Sequence, residues 1–283
     1  MSRNRDRAGA HQPTDASPPN PGLMESGTFS FVVPTEFVEL PSEGRFYPPH
    51  HPLHGQSSIE IKQMTAKEED ILTSRTLLKK GIAIDRLLQS LIVDKSISAD
   101  DILIGDRNAI IIATRVSGYG NDYKTAVACP RCTATAEKVF DLNKAFIHKG
   151  GADGSDNVQY NDDGTFSTVL PTTGVTVAFR LLTGADERRM LNGIESDRKQ
   201  KSHEKNITRQ ILNIVCSVNG DSSSAALNYL VQNIPSSDSR HLRLTYRKIA
   251  PNIDLTQDFE CGECGYETEM EVPLSADFFW PDR

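Results

Sequence analysis

Two pairs of cysteines have the spacing to do chemistry. Cys129 and Cys132 lie in A-C-P-R-C, and Cys261 and Cys264 lie in E-C-G-E-C-G-Y. A C-x-x-C at a tight turn points two thiolates to one side of a hairpin tip. Two such tips complete a tetrahedral all-sulfur site, the set that zinc prefers. Each pair has a Pro or Gly inside the turn and strand-like residues behind it, Lys138–Phe140 and Glu269–Val272. One pair alone is a weak signal, whereas two in matching contexts are a strong one. Their separation is unusual, with 128 residues between Cys132 and Cys261, where an ordinary ribbon has roughly 15–20. The expectation is one structural zinc per chain, held by Cys129, Cys132, Cys261 and Cys264 in a ribbon split between two parts of the chain. A catalytic zinc keeps one position open, and four cysteines leave none. A redox C-x-x-C would need one reactive pair beside a helix N-terminus, not two in strand-flanked turns.

The elements that must position these pairs read as a duplication. Asp106 to Phe146 aligns without gaps on Asp238 to Phe278, which superposes Arg115 on Arg247, Cys129 on Cys261 and Cys132 on Cys264. Upstream, Ile84, Arg86 and Leu88 fall on Ile207, Arg209 and Ile211, and Thr65 on Thr183. The fold expected is α+β, two related and mostly helical halves, each with a C-x-x-C β-hairpin, joined through the split ribbon. The boundaries expected are a disordered tail over 1–27, an extended Pro-rich arm over 28–57, a first half over 58–147, a flexible joint over 148–168 and a second half over 169–283. The tail has four prolines, three glycines and no aromatic residue, too little apolar surface to offset ordering. In the arm, Pro41, Pro48, Pro49 and Pro52 oppose regular structure, yet Phe46, Tyr47 and Leu53 are too apolar for a free linker. Their aromatic rings fit a pocket on this chain or on a partner. His50, His51 and His54 lack the accompanying ligands of a metal site. The joint's N-D-D-G lacks the acidic spacing of a calcium loop.

Within the halves, alternation predicts strands over 59–64 and 175–181. Thr65 with Glu68 forms a capping-box pattern that opens a helix running to about Lys80. Further helices are predicted over 85–94, 106–116, 207–218, 225–232 and 238–249. Residues 195–205 are a charge run of the kind that ends a solvated helix. Cys216, in I-L-N-I-V-C, reads as a buried small hydrophobe. Phe278, Phe279 and Trp280 near the end are either a clasp over the chain's own core or an interface anchor.

Composition narrows the function. The chain has 283 residues and a net charge of −7, so bulk charge implies no affinity for nucleic acid. A zinc-ribbon nucleic-acid module remains the rival class, but Glu260, Glu263, Glu267, Glu269 and Glu271 around the second pair argue against phosphate contact. No run of about 18 apolar residues predicts a membrane span, and Met-Ser-Arg-Asn-Arg-Asp-Arg has no apolar stretch behind it to read as a secretory signal. Unpaired cysteines fit a reducing compartment. No P-loop, dinucleotide fingerprint, H-E-x-x-H or G-x-S-x-G is present, so no enzymatic activity and no small-molecule substrate are expected.

V-E-L-P-S-E-G-R-F-Y-P, I-E-I-K-Q-M-T-A-K-E-E-D-I-L-T, the two cysteine knuckles and A-D-F-F-W-P occur in that order over residues 38 to 281. In this the chain resembles the baseplate hub subunit and hub-assembly proteins of T4-like tailed bacteriophages. The resemblance implies a non-enzymatic part in building the central hub of a contractile-tail baseplate. Its partners would be other hub, baseplate and tail proteins, and its location the virion tail after assembly in the host cytoplasm. A dedicated assembly chaperone that leaves before the virion is complete is the alternative. Phe46, Tyr47, Phe278, Phe279 and Trp280 are the candidate partner-binding residues.

Overall fold

The computed structural model describes residues 32–152, 157–200, 203, 205–272 and 276–279. Two units separate, Met1–Pro34 and Thr35–Arg283; the account below concerns the second. Its elements are β1 (Thr35–Glu39), β2 (Ser58–Lys62), α1 (Ala66–Thr73), α2 (Arg75–Lys79), α3 (Ala83–Leu91), α4 (Ile104–Tyr119), β3 (Asp122–Ala128), β4 (Thr135–Asp141) and β5 (Phe146–His148). There follow β6 (Gln159–Tyr160), β7 (Phe166–Val169), β8 (Thr176–Phe179), α5 (Gly184–Lys199), α6 (Asn206–Ile214), β9 (Val215–Val218), α7 (Ser224–Asn233), α8 (Ser236–Ile249), β10 (Asn252–Asp254), β11 (Thr256–Glu260) and β12 (Glu267–Glu271). The fold is therefore mixed α+β.

The sheets are small. β6-β7-β8-β9 form a four-stranded antiparallel sheet, and β1-β2, β3-β4, β11-β12 and β10-β5 are pairs. One apolar core runs beneath them, from Leu40 and Ile61 through Leu87, Leu88, Leu91 and Ile110 to Phe166, Phe179, Ile211, Ile214 and Leu242. Helix α3 buries Ala83, Leu87, Leu88 and Leu91, and α6 buries Ile211 and Ile214, the one-sided spacing of an amphipathic helix. Polar bonds add specificity above this core. Arg188 on α5 reaches Asp100 at 2.5 and 2.6 Å and Asp85 at 3.0 Å, and Asp85 also accepts from Arg107 at 2.7 Å.

The same elements recur in the same order. Capping boxes stand at Thr65 with Glu68 and at Thr183 with Asp186. Ile61 on β2 bridges to Ile92 after α3, and Phe179 on β8 pairs with Val215 after α6. Recurrence also begins earlier than the cysteine register indicates. Leu40-Pro41-Ser42-Glu43-Gly44 follows β1, and Leu170-Pro171-Thr172-Thr173-Gly174 follows β7. Both turns close on a glycine with positive φ, +70° at Gly44 and +68° at Gly174, where a side chain would be strained. At Gly44 a Cβ would also strike the backbone of Gln56 and Leu53.

Three predicted helices end early, the one over 85–94 at Leu91, where Ile92 leaves the helix (φ −58°, ψ 125°) and bridges to Ile61. The one opened by Thr65 stops at Thr73, because Ser74 is extended (φ −65°, ψ 106°) and restarts the chain as α2 by accepting from the Leu77 amide. The helix over 207–218 stops at Ile214, where Val215 to Val218 become a strand on β8. β-Branched Val215 and Val218 suit that strand better than a helix. The proline-rich segment after β1 winds through consecutive turns across 41–54. Pro34 and Pro41 bracket β1 rather than interrupting it.

A four-cysteine centre and two buried aspartates

Each cysteine pair lies at the tip of a hairpin. β3 and β4 pair in register from Asp122↔Asp141 to Ala128↔Thr135, and β11 and β12 from Thr256↔Glu271 to Glu260↔Glu267. The tips close identically. Cys129 N donates to Ala134 O and Thr133 N to Cys129 O; Cys261 N donates to Tyr266 O and Gly265 N to Cys261 O, all at 2.9 Å. The residue after the second cysteine takes positive φ in both, +60° at Thr133 and +62° at Gly265. The turn thus sets each pair of thiols to one side of its hairpin.

The tips face each other. Cys129 Sγ lies 3.8 Å from Cys264 Sγ, and Cys132 Sγ 3.7 Å from Cys261 Sγ. All four sulfurs fall within 4.8 Å of one another. A tetrahedron with metal–sulfur bonds of about 2.3 Å has edges of about 3.8 Å. The distances and the donor set therefore fit a metal ion. Cys129 and Cys261 are buried, while Cys132 and Cys264 are exposed. Around them Arg131 stacks over Tyr266 at 5.8 Å. Gln257 clamps the Asp141 backbone from the other hairpin, donating to its carbonyl at 2.8 Å and accepting from its amide at 3.2 Å.

The thiols cannot all ionise by themselves at this spacing. The Cys132 backbone amide brings Cys129 down to about 7. Burial and the neighbouring thiols push Cys264 up to about 12. A divalent cation at the centre would remove this conflict by accepting all four thiolates. Cys216 is half-buried, its Sγ 3.7 Å from Ile214 O, and burial raises its pKa.

The chain also crosses between hairpins beyond the metal-type centre. After β4, β5 leaves to pair with β10, Ile147 opposite Ile253. After β12, Phe278 sits against Tyr123 of β3, with ring centroids 5.1 Å apart. Its carbonyl accepts from Arg115 Nε at 2.7 Å, while the same fully buried guanidinium holds Gly120 O and Asp122 O at 2.6 and 3.0 Å.

Two buried aspartates were not singled out by the sequence reading as functional. Asp106 on α4 accepts from Ser42 N (2.9 Å), Ser42 Oγ (2.6 Å) and Tyr47 Oη (2.7 Å). Asp238 on α8 accepts from Thr172 N (2.8 Å), Thr173 N (3.0 Å) and Thr173 Oγ1 (2.8 Å). Each latches the L-P turn of its own strand pair onto a helix. The repeated L-P-[S/T]-x-G, paired with an Asp at matching positions, is the signal that could have revealed them.

The candidate aromatic residues fall in different places. Tyr47 is buried and also accepts from Leu103 N at 3.0 Å. Phe46 is half-buried, with Tyr160 and Phe166 at centroid distances of 5.8 and 5.7 Å. Phe278 and Phe279 are buried in the chain's own core. Trp280 lies outside the described residues. Of the histidines, His51 stacks on Tyr47 at 4.5 Å and His54 Nδ1 donates to Tyr47 O at 2.6 Å. Among the described residues no helix is long and apolar enough to cross a membrane.

The two hairpins of this mixed α+β chain bring four cysteines to one point, a donor set that could hold a metal ion. A family model described as the T4 bacteriophage base plate protein matches residues 34–280, and the chain belongs to that family. Searches of curated proteins and of solved structures gave no match. Membership assigns a structural or assembly role in a phage baseplate, places the partners among tail and baseplate proteins, and points to the virion tail.

Proposed function

We propose that the protein is a non-enzymatic component of the central hub region of a contractile-tail baseplate, or a factor in its assembly, and that one structural zinc joins its two halves. The match over 34–280 supports the baseplate part of this reading. The motif order in the sequence favours the hub within the baseplate. The thiol spacing of 3.7 and 3.8 Å supports zinc with Cys129, Cys132, Cys261 and Cys264 as ligands. When bound, the zinc supplies a fixed crosslink and no open coordination position.

The recurring elements support two related halves that begin at β1 and β7, ahead of the expected starts at 58 and 169, so that within 148–168 β6 and most of β7 belong to the sheet of the second half. In this reading the ribbon is split, one hairpin from each half. Zinc binding is then partly docking free energy. Tyr47, Phe278 and Phe279 clasp the chain's own core; Phe46 is the described candidate left for a partner, and Trp280, outside the described residues, stays a candidate from the sequence.

The test is mass spectrometry of purified particles, combined with elemental analysis of the isolated protein. One zinc per chain and a fixed copy number in the particle are expected. Loss of tail assembly without the protein, combined with its absence from finished particles, would assign it to the assembly-chaperone class instead. Two zincs per chain, or none after purification without chelators, would overturn the metal assignment.

A further inference from the structure

A cleft of about 920 Å³, with none of the four clustered cysteines in its lining, opens between the turns after β1 and the β6–β7 hairpin. Its walls are aromatic and proline-rich, with Phe46, Pro48, Pro49 and Tyr160 among them. Tyr160 is 45% exposed and is held edge-on against Phe46 at 5.8 Å. Three prolines in seven residues and the His54–Tyr47 bond stiffen one wall, so little ordering is left for a ligand to impose. The carboxylates lining the cleft are Asp101, Asp162 and Asp163.

The charge here is one-sided. The lining guanidinium, Arg180, is matched inside the fold by two 2.7 Å bonds to Asp186. Burial lowers the pKa of His51. Asp163 is held by Thr165 N and Oγ1 at 3.0 and 2.6 Å, which keeps it low and fixes the loop. Asp101 and Asp162 are exposed on the surface of the cleft.

We propose that this cleft is a docking groove for an extended, arginine- or lysine-bearing segment of a partner protein. Extended proline-containing segments dock in aromatic-lined grooves because they lose little entropy on binding. Cationic side chains gain from the carboxylates and from the exposed Tyr160 ring, while the Phe46 ring, already under the chain's own Arg45 at 5.1 Å, serves as an apolar wall. The inference stands apart from the zinc reading and needs no metal.

The test is fluorescence anisotropy on the full chain with a labelled short peptide of alternating arginine and proline, and a glutamate–proline peptide as control. The arginine peptide should bind and the glutamate peptide should not. Asp101→Asn with Asp162→Asn should weaken binding by about tenfold, as expected for two lost charge-assisted contacts. Glu267→Gln with Glu269→Gln removes the same charge from the exposed β12 face and should leave binding unchanged. Circular dichroism checks that each variant is folded. Absence of binding to the unmodified chain overturns the proposal. So does equal weakening by the two charge-matched double variants, which would show attraction to net charge rather than to the cleft.

Discussion

The two cysteine hairpins differ wherever their shared geometry allows. At the tip, Cys129 and Cys132 match Cys261 and Cys264, the closing hydrogen bonds match, and the φ of Thr133 matches that of Gly265. Along the strands the likeness ends. The β3–β4 hairpin sets Asp122 opposite Asp141 at its base but pairs Lys124 with Glu137 at 2.8 Å above it. The β11–β12 hairpin sets Asp258 opposite Glu269 and Glu260 opposite Glu267, like charges that destabilise a strand pair. Positions that aim a thiol are constrained by the turn, whereas positions facing solvent are free to carry a different charge. The same division separates the aspartate latches. Asp106 holds its L-P turn through two bonds from Ser42, with a third from Tyr47 beyond the turn, and Asp238 through three from Thr172 and Thr173; Asp106 is raised by burial, whereas at Asp238 the Thr172 and Thr173 bonds outweigh burial and lower it.

The largest expected effect tests whether the hairpins act as one centre. Cys129→Ser and Cys261→Ser should lose the metal equally, and each should cost several kcal/mol of stability, since metal affinity is folding free energy. Cys216→Ser should retain both. Elemental analysis with thermal unfolding reads this, and metal loss confined to substitutions in one hairpin would break the symmetry.

Next in size are the latches. Asp106→Ala and Asp238→Ala each strand buried donors, and each should cost about 2–4 kcal/mol in urea unfolding. Their pH dependences run in opposite directions. A carboxyl lowered in the folded state stabilises above its unfolded pKa and loses that contribution as pH falls. Asp238→Asn should therefore reduce the loss of stability on acidification below about pH 4. A raised carboxyl loses stability as pH rises from its unfolded pKa through its folded one. Asp106→Asn should remove a loss in that rising direction. Identical urea-midpoint profiles for the two asparagine variants would erase the contrast.

Tyr47→Phe should cost about 1–2 kcal/mol, because it leaves Leu103 N and one Asp106 oxygen short of a partner. The equivalent latch on Asp238 has no tyrosine and should not respond. Smallest is the tip residue. Thr133→Gly should be neutral or stabilise by up to about 1 kcal/mol by relieving a positive φ, while Gly265→Thr should destabilise by about 1–2 kcal/mol. Thermal midpoints of the pair distinguish a shared turn from two accommodated ones.

Much of this was legible before the fold. The cysteine pairs, their hairpins and the amphipathic faces of α3 and α6 follow from spacing alone. Thr65 with Glu68 announced the capping box that opens α1. What escaped depends on contacts distant in sequence. Nothing near Ser74 reports that α1 must stop, and only pairing with β8 turns Val215–Val218 into a strand. The Asp106 latch needs Ser42 and Tyr47 brought against α4 across some sixty residues. The Phe278 carbonyl seated on Arg115 spans more than twice that.

The distance between the cysteine pairs has a mechanical side. When one metal ties Cys132 to Cys261, a pull on the two ends of the chain bypasses everything between those residues. The enclosed chain could otherwise pay out to roughly 450 Å, at 3.3–3.6 Å per residue. The load passes instead through two short hairpins and four metal–sulfur bonds, while the helices they enclose stay slack. For a part of a phage tail baseplate, the crosslink would set which segments feel tension at all.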